Sequence, residues 1–177
     1  MQNWCLKVRR TSLKILRLLT MLLVVLLVSG CTSVKQDDFA IYLFKNKTLI
    51  ETLASTPARI ELEDKPFIST QDIISYSKET HEIELTDDAL EKVRNLDVPI
   101  KGRPFAVCLG QEIIYTGAFW TPISSIGFNG IIIMKPLAKS EYIQLEPGYP
   151  SESFYNGDDP RNNPRILECL QRSGKLK

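Results

Sequence analysis

The sequence predicts an α+β fold: an antiparallel or mixed sheet with one packed helix after residue 86 and a C-terminal helix. Three observations carry this reading. Several short runs alternate apolar with polar residues, the segment after Thr86 has helical spacing instead, and Gly110-Gln111 separates two apolar runs as a two-residue hairpin turn does. A chain of 177 residues holds one domain with its own core and is short for two.

The elements follow in chain order. Residues 39–45, FAIYLFK, are aromatic and apolar, are bounded by Asp37-Asp38 and Asn46-Lys47, and read as a strand. Lys47 to Ser55 fits a strand or a short helix closed by Pro57, and Ala58 to Asp64 alternates like a half-buried strand with Ile60 and Leu62 inward. Ser69 to Lys78 reads as a short helix or extended passage into the strand HEIELT, residues 81–86, whose inner face is Ile83 and Leu85. Thr86 is a good N-cap. Asp87 and Asp88 follow where the helix dipole favours carboxylates, and Ala89, Leu90, Val93 and Leu96 form the apolar face.

In the hairpin from Pro104 to Trp120, glycine at the first turn position sets Leu109 opposite Glu112, Cys108 opposite Ile113 and Ala106 opposite Tyr115. Ala106, Cys108, Ile113 and Tyr115 then share one face and Phe105, Val107 and Ile114 the other. Both faces are largely apolar, so the hairpin should be central and covered on each side. FNGIIIMK, residues 128–135, has the continuous apolar look of a buried strand. Residues 148–164 concentrate Gly, Pro, Asn, Asp and Ser and read as a long surface loop. Arg165 to Arg172 then places Ile166, Leu167, Cys169 and Leu170 mainly on one side of a helix that Gly174 can end.

The N-terminus carries a different message. The first thirty residues hold Lys7, Arg9, Arg10, Lys14 and Arg17 and no carboxylate, and the rest has 17 basic against 21 acidic side chains. A mildly acidic domain lacks the basic stripe that neutralises phosphates, which argues against a nucleic-acid partner. Ile15 to Val28 is apolar but interrupted by Arg17, and a helix spanning a hydrocarbon core needs about 20 apolar residues. Basic residues, an apolar run and then Ser29, Gly30 and Cys31 make the order of an export signal. Arg9-Arg10-Thr11-Ser12-Leu13-Lys14 partly matches a twin-arginine motif, with Ser12 where an aromatic is usual, and reads more simply as an ordinary basic region.

Val28-Ser29-Gly30-Cys31 resembles the lipobox of bacterial lipoproteins. The resemblance implies a signal peptide at 1–30, diacylglyceryl modification of Cys31, a tether at 31–38, and a single extracytoplasmic domain at 39–177 anchored on the cell membrane or outer membrane. Cys5 leaves with the signal and Cys31 is acylated, so Cys108 and Cys169 remain. Outside the cytoplasm they either form a disulfide, closing a loop of about sixty residues, or stay as two separate buried thiols.

Chemistry is sparse. The single histidine, His81, reads as a partly exposed strand residue, and no serine sits in a G-x-S-x-G setting. No cysteine or histidine spacing suggests a metal, no glycine loop suggests a nucleotide, and no cofactor is implied. Glu61, Glu63, Glu82 and Glu84 could pair as acid and base, but glutamates alternating with Ile or Leu are the usual wet face of a strand. Trp120, Thr121, Pro122, Ser124 and Ser125 form a candidate recognition loop, set against Trp120 as a core residue beside a turn.

Residues 71–134 resemble the head subdomain of the first extracytoplasmic domain of SecD, the translocase accessory subunit. Asp72-Ile73, HEIEL, DDALEKV, Gly102, PFAVCLGQEII and Phe128-Asn129-Gly130-Ile131 follow its order of strand, helix, glycine, hairpin and glycine-containing strand. The resemblance implies an α+β fold more than translocase activity, since SecD's transmembrane helices have no counterpart here. The expected function is a lipid-anchored, non-catalytic binding or accessory role with a membrane contact through Cys31 and an envelope protein as candidate partner. The alternatives are an envelope hydrolase using paired carboxylates and a structural envelope protein.

Overall fold

A computed structural model describes residues 37–45, 61–136 and 139–177. The signal segment, Cys31, most of the tether, and the expected elements at 47–55 and 58–60 lie outside the described residues. The described part of Asp37–Lys177 is one unit of mixed α+β structure. Its strands are β1 (Phe39–Leu43), β2 (Ile68–Ser69), β3 (Ile73–Tyr76), β4 (Glu82–Leu85), β5 (Arg103–Leu109), β6 (Glu112–Trp120), β7 (Phe128–Met134) and β8 (Tyr142–Tyr149). The helices are α1 (Asp87–Arg94) and α2 (Pro164–Arg172). The strands join in the order β2-β1-β5-β6-β7-β8-β4-β3. All pairs are antiparallel except β6 with β7, which are parallel.

The two outer strands of this order, β2 and β3, are neighbours in the chain. They are separated only by a 3-10 turn at Thr70–Asp72, so the sheet curls until its two edges meet at one short segment. The Asp72 carboxylate accepts from Ser69 N at 2.7 Å and Ser69 Oγ at 2.8 Å, Thr70 Oγ1 donates to Phe39 O at 2.7 Å, and Thr86 N donates to Asp72 O at 2.9 Å. One turn thus ties β1, both edges and the start of α1. Of the expected half-buried strand at Ala58 to Asp64, the described part contributes a single bridge, Leu62 to Phe44.

The concave face holds the main core: Phe39, Ile41, Ile73, Tyr76, Ile83, Leu85, Phe105, Val107, Phe119, Ile131, Ile133 and Leu145 from strands, with Ala89, Leu90 and Val93 of α1 and Ile166, Cys169 and Leu170 of α2. Thr86 caps α1, its Oγ1 accepting from Ala89 N. Asn163 caps α2, Pro164 occupies its first turn, and Gly174 follows with φ +68°. Two smaller clusters lie on the other face: Phe44, Ala106 and Cys108 with Tyr42 and Ile113, and Ala118, Trp120 and Ile132 with Phe128, Met134 and Tyr149.

The hairpin turn keeps Leu109 opposite Glu112 and Cys108 opposite Ile113, with Gly110 at φ +60°. Beyond that point the expected register is corrected. A bulge leaves Ile114 unpaired, so Tyr115 faces Val107 and Ala106 faces Thr116. Tyr115 therefore leaves the face of Ala106 and Cys108 and packs on the main core. Bulges sharpen twist, and two more interrupt β3/β4 and β7/β8, so the curl has a local origin in these irregularities.

β8 was not among the expected strands, and its first residues precede the expected loop at 148–164 while its last two belong to it. Its alternation of Ile143 and Leu145 is masked in the sequence by Pro147 and Gly148. Pro147 is tolerated because the β4 pairing covers only Tyr142 to Gln144, so only β7 flanks the strand there.

Close approach fixes one glycine. A Cβ at Gly117 would collide with the carbonyl oxygen of Ile131 on the parallel strand and with the Phe105 ring. We expect Gly117→Ala to lower the unfolding free energy by about 2 kcal/mol or more, as overpacking does. Chemical denaturation would show this as a lower midpoint with unchanged slope; an unaltered midpoint would mean that β6 and β7 are not this close.

Candidate functional site

The expected recognition loop connects the parallel strands β6 and β7. The register puts Trp120 beside Met134, so residues 121–127 must return along the strands before β7 begins at Phe128. They do so on the face opposite the main core, over Trp120. The indole is fully buried, stacks on Phe128 with centroids 5.2 Å apart, and meets Tyr149 at 5.6 Å. Its Nε1–H finds no acceptor among the described residues, a cost of about 1–3 kcal/mol that the aromatic contacts offset.

Thr121 and Ser124 are buried as well. Ser124 Oγ donates to Ile100 O at 2.8 Å and accepts from Ile126 N at 3.3 Å, while Tyr149 Oη donates to Ser124 O at 3.0 Å. Trp120, Thr121 and Ser124 are thus the fastenings of the loop, not its outward surface. Pro122 and Ser125 face solvent, and the residues that dominate the exposed surface are isoleucines. Ile123 is 78% exposed, Ile100 on the adjoining turn 55%, and Ile126 41%. Phe154, also exposed, lies over Gly127 and extends this apolar surface. An isoleucine held out of the core on an otherwise polar loop was the available sequence signal, but it needed the burial of Trp120 to become readable.

His81 corrects its expectation as a partly exposed strand residue. It is buried, precedes β4, and adopts φ +56°, a left-handed conformation uncommon for a residue with Cβ. Tyr76 Oη lies 2.9 Å from its Nδ1, and its carbonyl accepts from Leu145 N. Burial and then the Arg161 guanidinium hold the imidazole below its ordinary pKa, so the ring that shares this hydrogen bond with the phenol is favoured in its neutral form. Burial likewise pushes Tyr76 and Tyr115 above the usual phenol range. Burial also opposes the Arg161 charge, but Asp159 outweighs it through paired hydrogen bonds of 2.8 and 2.7 Å, while Arg161 NH1 donates to Leu145 O. The cluster clamps residues 155–162 onto β8.

The glutamates divide by partner. Glu82, Glu84 and Glu141 line a surface depression with Ser75, Ser77, Tyr142 and Lys177. Hydrogen bonds from Lys177 at 2.9 Å and Ser75 at 2.7 Å hold Glu84 below the usual carboxylate range, which suits an ion pair and opposes a role as general acid. Glu63 pairs with Arg103 at 3.3 Å, and Glu61 O accepts from Lys45 N. Among the described residues no group of three His, Cys, Asp or Glu side chains could hold a metal ion, and no helix is long and apolar enough to cross a membrane.

Cys108 and Cys169 are free thiols. Cys108 lies in the outer cluster with Ala106, and Cys169 lies in the main core with its Sγ 3.0 Å from Asp37 O, so the sheet separates them. Of the two expected arrangements the structure has the separate thiols. Burial raises the Cys108 pKa to about 11 and also raises that of Cys169. Cys31 lies outside the described residues.

No family model matches the chain, and no curated protein and no solved structure matches it.

Two outcomes test this geometry. A histidine whose folded pKa is depressed favours the neutral state, so its contribution is complete above the unfolded value of about 6.5 and is lost as pH falls below it. Melting temperature should therefore decline from about pH 7.5 to about 5.5, before the carboxylates titrate, and His81→Asn, which accepts the left-handed φ without a titrating ring, should flatten that decline. For the thiols, reductant should leave both gel mobility and melting temperature unchanged, and a thiol reagent should modify Cys108 and Cys169 only as the protein unfolds.

Proposed function

We propose that this is a lipid-anchored extracytoplasmic domain with a non-catalytic accessory role, held at a membrane through acylated Cys31 and binding an envelope protein through the isoleucine surface around Ile100 and Ile123. The observation that carries the binding role is that surface: Ile123, the most exposed large apolar side chain of the described residues, projects from a connection fastened beneath it by Trp120, Ser124 and Tyr149. Holding apolar groups in water on a fixed support has a free-energy cost that a partner would relieve.

The polarity of the domain supports the same reading. Asp37 meets the hairpin turn, where Gly110 N donates to Asp38 O, whereas Ile100 and Ile123 flank the opposite ends of β5 and β6. A stretch from Cys31 to Asp37 reaches at most about 20 Å, roughly the length of β5. A domain so tethered stays close to the bilayer, where a neighbour held on the same membrane is at high effective concentration. The likeness of residues 71–134 to the SecD head suits that setting. The ionisable pairs support a non-catalytic role, because Glu84, Glu112 and Asp159 are each committed to a cation within the domain.

The test is crosslinking in living cells with three forms of the chain. The unaltered form should be membrane-bound and retain a discrete protein partner. Cys31→Ser should give a folded protein released from the membrane, and Ile123→Asp should stay anchored but lose the partner at least about ten-fold while keeping its melting temperature, since a fully exposed site carries little stability. Continued membrane retention of Cys31→Ser after a salt wash would overturn the anchor, and undiminished crosslinking by Ile123→Asp would overturn the surface.

A further inference from the structure

Two Asn-Gly pairs occur in the described residues, Asn129-Gly130 and Asn156-Gly157, and the fold treats them differently. Glycine after asparagine leaves its backbone nitrogen unhindered, so that nitrogen can close on the asparagine side chain wherever the local backbone permits. We propose that Asn156 is a site of spontaneous conversion to isoaspartate and aspartate, and that Asn129, with the same sequence neighbour, is protected.

The chemistry needs only water. The Gly157 amide gives up its proton, its nitrogen bonds to Asn156 Cγ, and the former side-chain nitrogen leaves as ammonia, closing a succinimide. Water then adds to one of the two ring carbonyls and breaks that carbonyl's bond to the ring nitrogen. Opening at the main-chain carbonyl gives isoaspartate, opening at the side-chain carbonyl gives aspartate, and no redox change is involved.

Asn129 is held against this reaction in three ways. It lies within β7 between the paired residues Phe128 and Ile131, so ladder pairs on both sides restrain the backbone against the bend that ring closure needs. The Phe128 ring covers the next residue, its nearest atoms 2.6 Å from where a Cβ on Gly130 would stand. Its own Oδ1 accepts from Asn156 N at 2.8 Å, which pins the side chain toward the neighbouring loop. Asn156 is placed oppositely. Both Asn156 and Gly157 are exposed, outside any helix or strand, and Gly157 at φ +141° has nothing within 4 Å of where a side chain would be. The hydrogen bond at Asn156 uses its main-chain N–H and leaves its side-chain amide clear to turn toward Gly157.

The site also lies where a change would be felt. Tyr155 Oη donates to Asp158 O at 2.7 Å across the Asn156-Gly157 bond, and Asp159 and Arg161 follow. Isoaspartate would lengthen the main chain inside that span by one methylene and add a carboxylate beside Asp158 and Asp159.

The purified full chain, incubated for days in warm, mildly alkaline buffer made with heavy-oxygen water, would be digested and followed by mass spectrometry. An isoaspartyl methyltransferase would identify the isomer. The Asn156 peptide should incorporate the label on the order of ten-fold faster than the Asn129 peptide in folded protein, the gap should close in urea, and Asn156→Gln should abolish conversion there alone. Equal rates in the folded protein, faster conversion at Asn129, or an inert Asn156 under conditions where the urea-unfolded chain converts would each overturn the proposal.

Discussion

The architecture depends on one stretch of nine residues, Ile68 to Tyr76, that supplies both edges of the sheet. An open eight-stranded sheet would expose two rows of unpaired backbone groups and one large apolar face. Here the chain crosses from one edge to the other within the three residues of a 3-10 turn, and the Asp72 carboxylate holds that turn by accepting from both the backbone and the hydroxyl of Ser69. The concave face therefore closes around α1 and α2, which would otherwise have only a flat sheet to pack on. The remaining edge of β3 is partly occupied too, since Tyr76 N donates to Lys175 O and Lys177 N to Tyr76 O.

Closure on so short a segment demands strong curvature, and the bulges provide it. The one opposite Val107 and Cys108 does two things at once: it bends the central hairpin, and it turns Tyr115 from the outer face to the core, where burial raises its pKa and where it lies near Tyr76, Arg161 and Asp159. The register shift thus brings the Tyr115 phenol beside the polar cluster that clamps residues 155–162. Tyr76 and His81 are buried and Arg161 is partly so, and polar groups placed there need partners within the fold. Tyr76 with His81, and Arg161 with Asp159 and Leu145 O, meet that demand.

Much of the local structure was legible in the sequence because it is governed by local chemistry. The N-cap at Thr86, the stop of α2 at Gly174, the glycine turn at Gly110 and the apolar runs of β1, β5, β6 and β7 each follow from residues a few positions apart. What was not legible is set by distant partners. β8 hides behind Pro147 and Gly148, whose tolerance depends on β4 beginning only at Glu82, opposite Gln144; the two residues of β2 carry no pattern; and the parallel pairing of β6 with β7 follows from the path of residues 121–127. His81 looked like the first residue of a wet strand because its left-handed turn and its contact with Tyr76 leave no mark in the flanking glutamates.

The sequence singled out the right segment for the candidate site and left two readings of Trp120, of which the structure has the core residue beside a turn. Trp120 ends a strand whose alternate residues, Ala118 and Trp120, face the small outer cluster, so the ring packs inward beneath the loop. A return path of seven residues between parallel strands has no room for a helix, so it must lie flat against that face. Lying flat, it can bury only the side chains that point down, namely Thr121 and Ser124, and must expose those between them. Ile123 falls between them. A polar residue there would satisfy the fold equally well, so packing within the domain does not account for the isoleucine at that position.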